Sequence, residues 1–485
     1  MMPSLRRGIP VRACLLAIGI GLGGSWGTGI DTGTVQAARR KAAAAAPVGR
    51  PTVTIVGVDG AEWGVVEDLW SRGELPTLQK LSERGASGEL ATGYGARSPI
   101  VWTTVATGHE MEVHGIQDFI SDAAGSRAIP VSSSDRRVKA IWNMLSERDL
   151  RVLQLGWWAS WPVEEINGIS LTDRVLTRHL DQRAWPVSLE DGLEAWESQA
   201  AEAYRDIYSP PNHGKEDRLF TWVATDQLSR ERYDLTMVYL HRVDIVSHRY
   251  WRYYEPGPFP PMEEAELAQG RETFFDAYRA VDRSVADLLA LRPEDGYLVV
   301  ISDHGFYAAE EETFGVGMNI TRVLEAMGLW AGAEEGGEPD WERTRVYTPD
   351  ARPVGMKKKV RVNLEGREEH GSVSEEDFKR VRNEAKRELA RVTWGTGEPA
   401  FLPRMPGEVD AEEADLVVKV LTDGIDGKLF YDGQEIEGAV QDYWRRSGGH
   451  SKEPPGLFFA VGPGIEPGSK VEGARIFDIT PTLLT

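Results

Sequence analysis

Cysteine is almost absent from this sequence: of 485 residues only Cys14 is one. It lies in an N-terminal segment read below as a leader. The rest of the chain therefore has no disulfide, no thiolate nucleophile and no thiolate zinc site. Any metal must be held by Asp, Glu and His. Cys14 sits within the apolar run rather than after it, which makes it a poor lipid-attachment residue. Positive charge is scarce too. Lys and Arg number 55 against 76 Asp and Glu, a formal net charge of −21. That argues against nucleic acid as the main partner, because phosphate backbones are bound through an excess of Lys and Arg. A small phosphate ester is not excluded, since a metal site supplies its own positive charge. The N-terminal apolar run, Ala13 to Gly24, is about 12 residues, where roughly 20 are needed to cross a bilayer. No stable membrane span is expected once that segment is removed.

What is present suits a globular enzyme. Hydrophobic residues make up 41% and charged residues 27%, which excludes wholesale disorder. The length allows a large core. Arg6, Arg7 and Arg12 flank the apolar run, and Val35-Gln36-Ala37 offers a small-residue cleavage site. Residues 1–37 thus read as a signal peptide, with a short retained anchor as the alternative. Such a leader predicts an exported protein, periplasmic or extracellular. Residues 38–50, Ala-rich with Arg39, Arg40 and Lys41, read as a linker. One catalytic domain is expected over 51–485.

Thr52 to Val58 is a continuous apolar run ending at Asp59-Gly60, the pattern of a strand covered on both faces. Similar runs occur at 151–155, 235–240, 297–301 and 456–461. Helical patterns lie between them: Leu75 to Arg84 stopped by Gly85, Ser98-Pro99 through Ala106, and Arg271 to Leu291. Apolar strands separated by helices predict a three-layer α/β/α sandwich around a largely parallel sheet. Two regions break the rhythm, 175–230 and 330–445, and are expected to form a cap of insertions over the sheet. Asp478 to Thr485 (DITPTLLT) reads as a helix start within which the sequence stops, as a truncated product would.

Four segments put metal-type ligands at the ends of apolar strands: Asp59, then Asp244 with His248, then Asp303-His304, and His450 ahead of GLFFAV. The carboxyl ends of strands in an open α/β sheet line its ligand crevice. Each piece has a bland alternative. Asp-Gly after a strand is commonly a turn, residues four apart on a helix are commonly a surface pair, and His450 after Gly448-Gly449 suits a loop. Together they supply three Asp and three His, a ligand complement for two ions of zinc or manganese type. Two such ions clamp the attacking and leaving oxygens of an in-line displacement. Ser98, at a predicted helix N-terminus where the dipole and free N–H groups favour an anion, is the candidate nucleophile; the alternative is an ordinary N-cap. Arg97 beside it is a candidate substrate contact or a solvated surface residue. Trp157, Trp158 and Trp161 read as packing and strand-end anchors, Lys357 to Lys359 as a solvated run, and His109 and His114 as structural.

These residues carry a resemblance. VDGAEWGVVEDLWSRGELPTLQKLSERGASGEL, SPIVWTTVATG with HGI shortly after, LHRVDIVSHRY, VVISDHGF, GGHSKEPPGLFFAVGPGI and FDITPTLL together resemble the type I phosphodiesterase/nucleotide pyrophosphatase family of the alkaline phosphatase superfamily. VNLEGREEHGSV is similar to a segment of its bacterial branch of predicted phosphohydrolases. The resemblance implies that Asp59, Asp303 and His304 bind one metal, with Ser98 as further ligand and nucleophile. It implies that Asp244, His248 and His450 bind the other, which activates water. It implies a covalent phosphoseryl enzyme acting on a small or lipid-like phosphate mono- or diester. The pyrophosphatase members usually have Thr where this chain has Ser98. A phosphotransferase using the same phosphoenzyme, and a non-catalytic metal-binding relative, are the rival readings.

Overall fold

The computed structural model describes residues 50–93, 97–121, 130–205, 214–332, 339–349, 356–407, 414–451 and 454–485. The expected leader, and the expected linker except Arg50, lie outside the described residues. Among the described residues no helix is long and apolar enough to cross a membrane.

The apolar runs form a central sheet. Its strands in chain order include β1 (Val53–Val58), β2 (Ala86–Ala91), β3 (Val152–Leu155), β4 (Gly168–Leu171), β5 (Ala184–Trp185), β6 (Leu235–Leu240) and β7 (Tyr297–Ser302). With Gly456–Val461 and Ser469–Arg475 they make nine strands. Their spatial order is 469–475, β2, 456–461, β7, β1, β6, β3, β4, β5. The five from β7 to β4 run parallel. Strand 456–461 is antiparallel to both its neighbours, and β5 to β4.

Both faces are covered, which is why the inner strands read as unbroken apolar runs. Val56, Val58, Val238, Leu240, Leu298 and Val300 pack into one core with the helices 63–71, 76–84, 215–230, 242–254 and 264–291. Ile55, Met237, Tyr239, Val299 and Ile301 point the other way, against the helices 98–107 and 141–146 and the C-terminal turns 476–483. The alternation is the two-residue period of a strand. This is the expected sandwich of helices on both sides of a mostly parallel sheet.

The two irregular regions differ in kind. The first ends in the helix Lys215–Arg230, which packs on the sheet: Leu219, Phe220 and Val223 lie in its core. The second grows from a two-stranded antiparallel ribbon, Tyr307–Met318 with Val440–Gly449. Beyond it Val346, Val360, Val381, Leu389, Trp394 and Val418 gather round a separate core. The lysine run departs from expectation. Lys357 to Lys359 open the strand Lys357–Val362, whose residues alternate inward and outward, and Lys358 is 2% exposed.

Candidate metal centre

Strand register brings the first ligands together. In the sheet Val58 pairs with Ser302 on one side and with Leu240 on the other. The residues just past β7, β1 and β6 therefore emerge side by side at one edge, and Asp59 and Asp303 are neighbours. The helix Arg242–Tyr254 starts directly after β6 and carries Asp244 and His248 one turn apart. Its first turn is held by Asp217 of the 215–230 helix, which accepts from the N–H groups of His241 (2.8 Å) and Arg242 (3.1 Å). His450 arrives last. Gly449 pairs with Tyr307 at the foot of the ribbon, so the chain returns beside the Asp303–Phe306 loop.

Six predicted ligands converge. His304 Nε2 lies 3.5 Å from Asp59 Oδ1 and 3.4 Å from Asp303 Oδ2. His248 Nε2 lies 3.4 Å from Asp244 Oδ1 and 3.2 Å from His450 Nε2. The rings of His304 and His450 stack at 3.9 Å. Asp59, Asp303 and His304 form one group whose ligand atoms all lie within 4.8 Å, and Asp244, His304 and His450 form a second. His304 thus stands between both groups. Its approaches to Asp59 and Asp303 are short, and His248 lies beside the second group, within 3.4 Å of both Asp244 and His450.

The donor set fits divalent metal. Asp59 Oδ1, Asp303 Oδ2, His304 Nε2 and His450 Nδ1 are buried without a hydrogen-bond partner. Asp59, Asp303 and His304 are 0% exposed. Among the described residues no Lys or Arg forms an ion pair with Asp59, Asp244 or Asp303. Three buried carboxylates without a Lys or Arg ion pair, only the charge of Arg446 acting on Asp244 from further off, are strongly disfavoured unless a cation binds. The carboxyls respond as such groups do. Burial, then the negative charge of Asp59, pushes Asp303 well above the usual range and Asp244 up to about 7. Burial lowers His248 to about 4 and His450 to about 2, keeping both imidazoles in the neutral, metal-binding form. His304 Nδ1 faces Gly305 O at 3.0 Å and His248 Nδ1 faces Gly448 O at 3.1 Å. A carbonyl only accepts, so both Nδ1 atoms carry the proton and both Nε2 lone pairs face the cluster.

Ser98 is 8% exposed and opens the helix Ser98–Thr107 as its first residue, with Arg97 at the cap position. Its hydroxyl is not the cap. Trp102, one turn further along the same face, donates to Asp59 Oδ2 at 3.3 Å. The expectation of several free N–H groups there is corrected. Pro99 has none, and those of Ile100 and Val101 are bonded to Arg97 O. Only the Ser98 N–H and the dipole remain to favour an anion. Arg97 is turned outward, 3.3 Å from Asp118, with both side chains about half exposed.

Of the two histidines read as structural, His114 behaves so and His109 is exposed. His114 is fully buried, accepts at Nδ1 from Ile116 N (3.1 Å) and meets Thr104 Oγ1 at Nε2 (3.1 Å). The sequence reading passed over Tyr239, which donates to Asp59 Oδ2. It also passed over Glu62, which accepts from Phe306 N at 3.0 Å and ties down the Asp303–Phe306 loop. Tyr239 sits in the apolar β6 run, where an aromatic reads as core. Glu62 lies only three residues past Asp59, but its partner is distant in sequence.

Among curated proteins none matches this chain. Among solved structures, phosphonoacetate hydrolase from Sinorhizobium meliloti 1021 aligns over 90% of this chain and 96% of that one, at 15% identity. Its TM-scores are 0.43 for the complex with phosphonoformate and 0.42 for that with phosphonoacetate. The family description "Type I phosphodiesterase / nucleotide pyrophosphatase" matches residues 53–436, a span that includes every predicted ligand except His450. The chain therefore belongs to the type I phosphodiesterase/nucleotide pyrophosphatase family and is a phosphoester hydrolase.

Proposed function

We propose that this protein hydrolyses phosphate mono- or diesters of a small or lipid-like alcohol at a two-metal centre, through a covalent intermediate on Ser98. The observation that carries the reading is the set of buried, partnerless atoms, Asp59 Oδ1, Asp303 Oδ2 and His304 Nε2, facing one another. Asp59, Asp303 and His304, with Ser98, would hold one ion, and Asp244, His248 and His450 the other. The ligand set of carboxylate and imidazole suits zinc, with manganese as the alternative. Bound there, divalent ions supply Lewis-acid charge and make the serine hydroxyl easier to ionise.

The chain's own groups do the rest. Ser98 Oγ attacks phosphorus; its bond to phosphorus forms as the ester P–O bond breaks and the alcohol leaves. Water then attacks the phosphoserine, the Ser98 Oγ–P bond breaks, and phosphate or a monoester departs with the serine restored. The helix dipole behind Ser98 favours negative charge at its N-terminus throughout. A contact from Arg97 to substrate requires it to leave Asp118, an exposed pair worth only about 0–1 kcal/mol. The net charge of −21 supports a small ester rather than nucleic acid, and the leader-like N-terminus supports action outside the cytoplasm.

The test is hydrolysis of p-nitrophenyl phosphate and bis-p-nitrophenyl phosphate by wild type and Ser98→Ala, with zinc or manganese added. Turnover abolished by chelator and by Ser98→Ala supports the mechanism, and the preferred compound assigns mono- or diesterase. Full turnover in Ser98→Ala would sink the covalent route. Phosphoryl transfer to added alcohols in preference to water would make the protein a transferase.

A further inference from the structure

Asp59 faces His304 through one carboxylate oxygen only. Oδ1 is the partnerless atom, 3.5 Å from His304 Nε2. Oδ2 is turned the other way and accepts from two donors, the Tyr239 hydroxyl and Trp102 Nε1. Chemistry fixes the direction of every bond in this network. An indole nitrogen only donates and an ionised carboxylate only accepts. Trp158 Nε1 lies 2.8 Å from Tyr239 Oη, so that oxygen accepts there and its single hydrogen is left for Asp59.

Packing holds the donors in place. The rings of Trp102 and Tyr239 meet edge to face at 5.1 Å, and Trp102 meets Trp157 in the same way at 5.2 Å. Trp157 Nε1 donates to Trp102 O at 2.8 Å. β1 leaves room for this cluster two residues before Asp59: a Cβ on Gly57 would lie 2.6 Å from the Trp102 ring. Trp157 and Trp158, which read as packing residues in the sequence, therefore contact the two donors that hold a candidate metal ligand.

We propose that Tyr239, oriented by Trp158, is a positioning residue that holds Asp59 Oδ2 so that Oδ1 faces the ion shared with Asp303 and His304. The proposal rests on the metal-centre reading above. A terminal carboxylate torsion is broad, so without the Tyr239 donor only the longer Trp102 bond, 3.3 Å, restrains Oδ2, and Asp59 turns more freely. Partners that orient a ligand typically change metal affinity about 10–100-fold.

The experiment compares metal-free wild type, Tyr239→Phe and Trp158→Phe by zinc titration against a competing chelator. Melting in chelator and steady-state hydrolysis of p-nitrophenyl esters over a range of zinc concentrations complete it. Tyr239→Phe should bind one ion about 10–100-fold more weakly and the other normally. Its metal-free melting should stay close to wild type, and its kcat should recover in excess zinc with KM for the ester unchanged. Trp158→Phe should fall between the two, and it decides by the same criteria if Tyr239→Phe does not fold. Wild-type affinity for both ions in Tyr239→Phe, or a kcat loss that excess zinc does not restore, overturns the positioning role. A wild-type chain that binds one ion overturns the two-ion reading alone, and the role then stands or falls on whether Tyr239→Phe weakens that ion. A wild-type chain that binds none overturns both.

Discussion

The imidazole rings of His304 and His450 stack with centroids 3.9 Å apart and planes 18° from parallel. One follows β7 directly. The other returns from the far end of the large insertion, so the second ligand group closes only when the ribbon 307–318/440–449 has formed. His450→Ala should therefore cost one of two bound ions and spare the other. In the proposed mechanism the second step depends most on that group. The variant should still phosphorylate Ser98 but release it slowly, giving a burst followed by little turnover. Intact-mass detection of phosphoserine checks this, and full steady-state turnover would remove His450 from the site.

Asp303→Ala should be more damaging. It deletes a carboxylate that is 0% exposed and lies 3.4 Å from His304 Nε2. Metal content and activity should fall together, activity by about 10²–10³-fold if the electrostatic contribution resembles that of other charge-stabilising groups. Metal analysis beside the ester assay is the check; retained activity with an empty site would count against the whole assignment.

Ser98→Ala separates chemistry from stability. No side-chain cap bond is made at the start of the 98–107 helix, so the variant should lose turnover yet melt within about 0.5 kcal/mol of wild type, as changes that remove no cap, network or core volume do. A loss of about 1 kcal/mol or more would mean that the hydroxyl serves the helix after all.

His114 predicts a pH dependence independent of metal. Burial lowers it from 6.5 to about 4, with the charges of His109 and Arg136 adding to the effect. The unfolded chain binds the proton first as pH falls. The stability tied to neutral His114 is thus full above about pH 6.5 and lost as pH falls through about 4, roughly 3 kcal/mol in all. Chemical denaturation at pH 7.5 and pH 4.5 should show His114→Gln losing less stability between them than wild type. Equal losses would mean that His114 takes up its proton without disturbing Ile116 N and Thr104.

Asp217→Ala should act on the centre from a distance. Its carboxylate, raised to about 6 by burial, accepts from His241 N and Arg242 N at the start of the helix bearing Asp244 and His248. Removing such a cap costs about 0.5–2 kcal/mol. Hydrogen exchange at residues 241–248 should rise, and affinity for one ion should fall. Unchanged exchange there would show that the helix start is held by β6 alone.

The α/β layering and the inner strands were legible because both sheet faces are covered. Runs such as TVTIVGV and LTMVYL need no partner information to read as buried strands. The helix 264–291 was recognised only from Arg271, since its first turns, EAELAQG, are too polar to show a face. β2, β4 and β5 were missed because they are short, outer or mixed in composition. The candidate ligands Asp59, Asp303 and His304 could be found one by one, as polar residues directly after apolar strands.

The sequence by itself determined which residue types were available: with Cys14 confined to the leader-like segment, a metal could be met only by carboxylate and imidazole. It also determined that Asp59, Asp244 and Asp303 follow strands. The tertiary structure decided the rest. Parallel register of β6, β1 and β7 set Asp59 beside Asp303, and ribbon closure laid His450 on His304. The choice of which Asp59 oxygen faces the cluster belongs to Tyr239 and Trp102. These are contacts between residues far apart in the chain, set by pairing and packing, and no local pattern of residues encodes them.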